Sequence, residues 1–264
     1  MNNVQLEVDG PVAIVAINRP QVRNAVNPQT AEELRAAFEW VAGDDSVKTA
    51  VFTGRGGAFC AGYDLTAFSE AGLDHQSLDG LGPGQPGPMG PSRSTPPKPT
   101  IAAVEGHAVA GGLELAIWCD LRVMAEDAIF GVFCRRWGVP LIDGGTVRLP
   151  RLIGQSRALD MILTGRPVGA EEALAMGLAN RVVPPGQTLE AAVALAREIA
   201  ALPQTCMLAD RASTYAQDGL DAATALEEEA RGGLEVLRSG ESVSGATKFA
   251  RGSGRHGSFS EFSG

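Results

Sequence analysis

An α/β fold with parallel strands and crossover helices is predicted by two features of this sequence. Short apolar runs at Val12 to Ile17, Lys48 to Thr53, Thr100 to Val104 and Asp120 to Ala125 alternate with segments whose apolar residues recur at helical spacing. Two of those runs also pass through glycine-rich turns into helices, the strand-turn-helix junction typical of an α/β core.

In order, Gln5 to Val8 and Val12 to Ile17 flank Asp9-Gly10, which reads as a hairpin turn between two strands. Asn27-Pro28 supplies an N-cap and first helical residue, and Leu34, Ala37, Phe38 and Val41 recur at helical spacing up to a stop at Gly43. The strand Lys48 to Thr53 then enters the first glycine-rich turn, Gly56-Gly57-Ala58-Phe59-Cys60-Ala61-Gly62-Tyr63-Asp64-Leu65, which leads into another helix. Between Ala71 and Lys98, glycines alternate with Pro83, Pro86, Pro88, Pro91, Pro96 and Pro97, so neither helix nor ladder persists and a loop is expected.

The stretch Ala102-Ala103-Val104-Glu105-Gly106-His107-Ala108-Val109-Ala110-Gly111-Gly112-Leu113-Glu114-Leu115-Ala116 organises the rest. A strand-like run ends at Gly106, and a buried helix is expected to begin near Gly111. At that end the backbone N–H groups lack intrahelical acceptors and the helix dipole favours an oxyanion. With no side chain on Gly111 or Gly112, a carbonyl group can approach the amides closely, and Glu114 lies one turn further along the same face. Donors for a developing negative charge and a carboxyl group for moving protons therefore converge there.

Beyond it, Cys119-Asp120-Leu121-Arg122 closes the helix and starts a strand, with Asp120 and Arg122 in structural roles. Ala158 to Leu163 is expected to be helical. A strand, a helix stopped at Gly177 and a short strand then run through Thr164 to Val183. Leu189 to Ala201, Thr205 to Ala216 and Asp221 to Leu237 have helical period, Pro203 separates the first two, and Glu227-Glu228-Glu229 reads as a solvated face.

The 264 residues suffice for one large core, residues 1–200, and a smaller C-terminal helical region, residues 201–264, with the Gly/Ser-rich end from Gly252 to Gly264 expected to fray. With 44% hydrophobic residues, no membrane-spanning run and no signal-peptide pattern at the start, a soluble cytoplasmic protein is expected, with no membrane partner. The net charge of -9 argues against nucleic acid as a partner. Cys60, Cys119, Cys134 and Cys206 are scattered without metal-ligand spacing, so buried thiols are expected rather than a metal site or disulfides.

The two glycine-rich turns, the second with an acid one turn in, resemble those of the crotonase (enoyl-CoA hydratase/isomerase) superfamily, and the likeness extends from Asn18-Arg19-Pro20 to the C-terminal region. The resemblance implies the crotonase (ClpP-like) fold, in which repeated ββα units build a spiral core followed by C-terminal helices. It implies an acyl-CoA substrate whose thioester carbonyl is held by two backbone N–H groups, here those of Tyr63 and Gly111. Coenzyme A arrives as part of the substrate, so no separate cofactor is implied. Its nucleotide end would be met near Arg19 and Arg23, with Ala25, Ala61 and Leu65 along the same binding surface, and Lys248 or Arg251 near the CoA phosphates. The loop from Ala71 to Lys98 would form one wall of the acyl pocket. A homotrimer or a dimer of trimers, with contacts through the C-terminal helices, is implied as well.

The frame of Ala128 to Leu149 matches the family except at Cys134, where a true hydratase carries a second glutamate. A thiol is a poor proton donor to a reacting carbon near neutral pH and here reads as a small residue that enlarges the pocket. Asp143 is the stronger substitute, since dienoyl-CoA isomerases of the superfamily keep an aspartate there, although an aspartate before a new helix is also an ordinary N-cap. Glu114 with Asp143 would form a two-acid site able to hydrate a conjugated enoyl thioester or to shuttle a proton along it. Arg135 and Arg136 would either meet a polar acyl tail or face solvent. The resemblance thus implies an enoyl-CoA hydratase first, a double-bond isomerase as its rival, and an acyl-CoA-binding protein without chemistry as a third reading.

Overall fold

The computed structural model describes residues 3–71, 81, 85–254 and 256. By internal contacts it divides into a unit ending at Ala196 and a second beginning at Arg197, so the division falls inside a helix a few residues before the expected boundary at 200.

The first unit is built on a six-stranded sheet. Strands β1 (Val4–Asp9) and β2 (Val12–Ile17) form the expected antiparallel hairpin, with Val4 opposite Ile17 and Asp9 opposite Val12. Parallel strands β3 (Thr49–Gly54), β4 (Thr100–Val104), β6 (Leu121–Ala125) and β9 (Arg181–Val183) continue the order β1-β2-β3-β4-β6-β9. Every residue of β2 and β4 is buried, which is why these segments read as unbroken apolar runs rather than alternating ones.

Helix α1 (Pro28–Gly43) starts where the sequence predicts, because the Asn27 side-chain oxygen accepts the Thr30 N–H at 2.9 Å. It buries Leu34, Ala37, Phe38 and Val41. Phe38 meets the Phe52 and Trp118 rings edge-on, at 5.4 and 4.7 Å between centroids. Helix α2 (Leu65–Ala71) follows the first glycine-rich turn.

The organising stretch differs from expectation in one respect. Gly106, with φ +53, turns the chain out of the main sheet, and His107–Val109 forms a further strand, β5, in a separate three-stranded sheet. Its partners are β7 (Ile129–Gly131), parallel to β5, and β8 (Pro167–Gly169), antiparallel to β7. Three residues are too few for a periodic signal, so the sequence reads straight through this strand. Helix α3 (Gly111–Trp118) then begins at Gly111 as predicted and is buried at every residue.

Helices α4 (Gly145–Ile153), α5 (Gln155–Thr164), α6 (Ala170–Ala175) and α7 (Thr188–Ala201) complete the unit, with the division falling within α7. Asp120 and Arg122 are structural, as expected. The Asp120 carboxylate accepts the Thr100 N–H at 2.7 Å, and the buried Arg122 guanidinium donates to Leu178 O, Cys119 O and Asn180 Oδ1.

The second unit holds α8 (Gln204–Ala216), α9 (Ala222–Ser239) and α10 (Glu241–Ala250). Asp221 caps α9 by accepting from Ala223 N and Thr224 N, and Glu241, at the start of α10, accepts from Thr205 N and Cys206 N at the start of α8. Among the described residues no helix is long and apolar enough to cross a membrane. Much of the expected loop between Ala71 and Lys98, and most of the terminal segment expected to fray, lie outside the described residues.

Candidate active site

The two glycine-rich turns meet at one cavity of about 480 Å3 in the first unit. Its wall includes Tyr63, Gly111, Glu114, Cys134 and Asp143, so the structure brings together the proposed donors, both acids and the thiol.

The first turn is fixed from two sides. Cys60 pairs with β5, donating to His107 O at 2.9 Å and accepting from Val109 N at 3.0 Å. Val26 donates to Gly62 O and accepts from Asp64 N, both at 2.8 Å, so Tyr63, between them, directs its own N–H away from Val26. Asn24, fully buried at φ +58, donates to Arg55 O and Ala58 O and accepts from Arg19 N. Its polar side chain tolerates the left-handed conformation and replaces missing backbone partners.

Arg19 corrects one expectation. Its guanidinium pairs with the Asp64 carboxylate at 3.1 Å and also donates to Ala25 O, so it is a neutralised brace rather than an open site for CoA phosphates. The other oxygen of Asp64 accepts from Thr66 N and Ala67 N at the start of α2, which ties the Arg19 loop to the residue beside Tyr63. Ala25, Ala61 and Leu65 line the cavity; Arg23 is exposed and is not among the lining residues, though its carbonyl accepts the Ala61 N–H at 3.0 Å.

At the second turn the two glycines have different reasons to be there. Gly111 lies on the cavity wall as the first residue of α3, where its N–H has no preceding turn to bond. Gly112 is a packing residue instead, because a Cβ there would lie 2.1 Å from the Cys60 carbonyl oxygen. Ala110, just before them, has φ 55 and ψ -125, a backbone conformation costly for a residue with a Cβ. Ala110→Gly is expected to raise the thermal midpoint by a few degrees, relief of about 1–3 kcal/mol of strain outweighing the extra freedom of the unfolded chain. An unchanged or lower midpoint in calorimetry would show that the surroundings already absorb that strain.

Glu114 is 2% exposed, and its Oε1 accepts from the backbone N–H of Asp143 at 2.9 Å and of Gly145 at 2.8 Å. Burial, and then the charge of Asp143, push its pKa up to about 8. Asp143 is 3% exposed and does not cap α4, whose N-cap is Gly144. Its Oδ1 instead accepts the Met89 N–H at 3.0 Å and the Ser92 hydroxyl. Burial raises the Asp143 pKa, while Ser92, Met89, Arg93 and Arg148 all favour its charged form. Among the described residues Glu114 Oε2 and Asp143 Oδ2 take no hydrogen bond. Neither is among the sealed polar atoms left without a partner, so both open toward the cavity.

The chain as a whole has counterparts among known proteins. The sequence profile of enoyl-CoA hydratase/isomerase matches residues 7–250. The chain belongs to the enoyl-CoA hydratase/isomerase family. It is 36% identical over 246 residues to the enoyl-CoA hydratase EchA19 of Mycobacterium tuberculosis, covering 93% of this chain and 92% of that protein. It is also 36% identical over 236 residues to a short-chain-enoyl-CoA hydratase of Clostridium acetobutylicum, covering 88% and 89% of the two chains. A crystal structure of an enoyl-CoA hydratase from Mycobacterium tuberculosis superposes with a TM-score of 0.87 at 35% identity, covering 95% of this chain and 96% of that one. The crotonase fold implied by the sequence is thus the fold of this family member.

Within that family frame, the rest of the cavity wall is apolar, with Phe68, Pro88, Met89, Phe133, Trp137 and Ile142 prominent. Pro88 and Met89 belong to the expected loop, whose described part does form one wall of the cavity. Cys134 is buried and lines the same cavity as the two acids. Burial raises its pKa, so it presents a neutral thiol. Arg135 and Arg136 are exposed; Arg135 donates to Ile162 O and Arg136 lies 4.1 Å from the centre of the Phe133 ring. Sequence reasoning missed Asn24, Met89 and Ser92. Asn24 carried a signal in the left-handed tolerance of asparagine, whereas Ser92 had none within its Pro/Gly-rich surroundings.

Proposed function

We propose that the protein catalyses the reversible addition of water to a 2-enoyl-CoA, with Glu114 and Asp143 moving the protons and the backbone N–H groups of Tyr63 and Gly111 forming the oxyanion hole. The observation that carries this reading is the pair of buried carboxyl groups, each anchored through one oxygen and open through the other on the cavity that Tyr63 and Gly111 also line.

The steps follow from the protonation pattern. Glu114, pushed up to about 8 by burial and then by the charge of Asp143, is the member that holds the proton, and Asp143 is the charged neighbour that helps to keep it there. Asp143 takes a proton from water as the water oxygen bonds to C3. The C2–C3 π electrons shift toward the thioester oxygen, where the two N–H groups stabilise the enolate more than the ground-state carbonyl. Glu114 then delivers its proton to C2, and exchange with solvent restores the pair. Only protons and one water move, so the reading calls for no metal or redox group, and coenzyme A enters as part of the substrate. The relatives named hydratases support it.

Arg23, exposed beside Ala25, remains the candidate for the CoA phosphates in the first unit, and Lys248 and Arg251 are the candidates in the second. A homotrimer or dimer of trimers in the cytoplasm completes the reading. Exposed Leu234, Leu237, Val243 and Phe249 on α9 and α10 support self-association.

The test is conversion of crotonyl-CoA, followed by loss of conjugated-enoyl absorbance. The wild type is expected to turn over, and Asp143→Asn to lose about 10²–10⁴ of the rate. Binding of the ester without loss of conjugation would reject hydration. Appearance of a shifted double bond would then favour isomerisation, the second reading, which rests on Cys134 replacing a glutamate; absence of any product would favour a binding protein.

A further inference from the structure

Resting on the assignment of Asp143 as base, we infer that Ser92 is a positioning residue for the reaction: its hydroxyl, with the Met89 N–H, holds Asp143 Oδ1 so that Oδ2 alone faces the substrate. Ser92 is fully buried, and its hydroxyl donates to the same oxygen that accepts the Met89 N–H at 3.0 Å. A carboxylate with one oxygen committed twice cannot rotate without giving up both bonds, so its second oxygen has a defined direction.

The local backbone is shaped for this hold. Gly87 and Gly90 exchange hydrogen bonds, Gly87 N to Gly90 O at 3.1 Å and Gly90 N to Gly87 O at 2.9 Å, closing a tight turn that carries Met89. Gly87 lies so close over the pair that a Cβ there would sit 2.2 Å from Asp143 Oδ1 and 2.3 Å from Ser92 Oγ. Pro91–Arg93 forms one 3-10 turn that places Ser92 beneath it. A serine whose only purpose was helix capping or solvent contact would not be buried against an acid 51 positions away.

The charged and titratable groups around Asp143 are Glu114 on α3, Arg93 on the 3-10 turn, Arg148 on α4 and Cys134 on the cavity wall. Arg93 and Arg148 favour the charged form in wild type and variant alike, so loss of the Ser92 bond has a readable sign. It raises the Asp143 pKa and moves the acid limb of the rate profile toward higher pH.

The experiment measures kcat and KM for crotonyl-CoA against pH in wild type, Ser92→Ala, Ser92→Cys, Asp143→Asn and the Ser92→Ala/Asp143→Asn double variant, with thermal midpoints alongside. For Ser92→Ala the acid limb of kcat/KM is expected to rise by about one pH unit and kcat at neutral pH to fall about tenfold, with KM little changed. Ser92→Cys, which keeps the volume and a weak donor, is expected to lie between. In the Asp143→Asn background, Ser92→Ala is expected to cause no further loss. An unmoved acid limb in both Ser92 variants, or an equal loss with and without Asp143, overturns the inference. Full activity of Asp143→Asn would instead overturn the assignment of the base itself. Should Ser92→Ala not fold, the position of the Ser92→Cys acid limb decides.

Discussion

Glu114→Gln is expected to lower kcat for enoyl-CoA hydration by about 10³, some 4 kcal/mol of barrier, while KM changes little. The amide keeps the shape and an oxygen that accepts from Asp143 N and Gly145 N, so the helix start and the cavity wall stay in place. What disappears is the transferable proton. The pH profile gives an independent check. Because burial and the Asp143 charge push Glu114 up to about 8, the wild-type rate is expected to fall as pH rises through that value, and Glu114→Gln to lose this alkaline limb. Stability should follow the same titration. A carboxyl group raised from 4.5 to about 8 on folding holds a proton that the unfolded chain has released, so wild-type stability declines as pH rises across that window. Urea midpoints of Glu114→Gln should lack that decline; an identical slope in both proteins would mean that Glu114 is not the group titrating.

Gly112→Ala is expected to destabilise the fold by about 3 kcal/mol or more, although the substitution adds one methyl group next to the site. The added carbon would lie 2.1 Å from the Cys60 carbonyl oxygen and 2.8 Å from its carbon, and backbone has no rotamer through which to retreat. That carbonyl also accepts the Val109 N–H, so pushing it aside breaks the pairing between the first glycine-rich turn and β5. Gly111→Ala is the control. Its Cβ would meet the Met89 Sδ at 2.7 Å, the flexible end of a side chain that can move. Comparing the midpoints of the two variants separates the roles of adjacent glycines; equal midpoints would contradict the packing role of Gly112.

The adjacent glycines also mark the boundary of what the sequence made legible. Helix α1, the hairpin and the start of α3 rest on local signals, namely an Asn-Pro cap, an Asp-Gly turn and a paired glycine before an apolar run, and each lies where those signals put it. Tyr63, Gly111, Glu114 and Asp143, each singled out in the sequence, share a cavity. Long-range partners were invisible. Nothing local says that Arg19 is consumed by Asp64, or that Asp143 bonds Ser92 across 51 positions instead of capping the helix that follows it. The same holds for β5, which is a strand because Ile129–Gly131 is available to pair with it, not because three residues carry a pattern.

The turn from Gly87 to Ser92 performs two tasks with one piece of chain. Pro88 and Met89 present their side chains to the cavity, while the Met89 amide and the Ser92 hydroxyl grip Asp143 from behind. In the proposed reaction, acyl selectivity and the basicity of Asp143 are therefore not independent variables. Grafting a longer or shorter version of this segment to admit a different substrate is then expected to reset Asp143 as well. Redesign of the pocket by loop exchange should accordingly carry Gly87, Met89 and Ser92 across as a unit, and vary the Phe133 and Trp137 side when only the shape of the acyl group is to change.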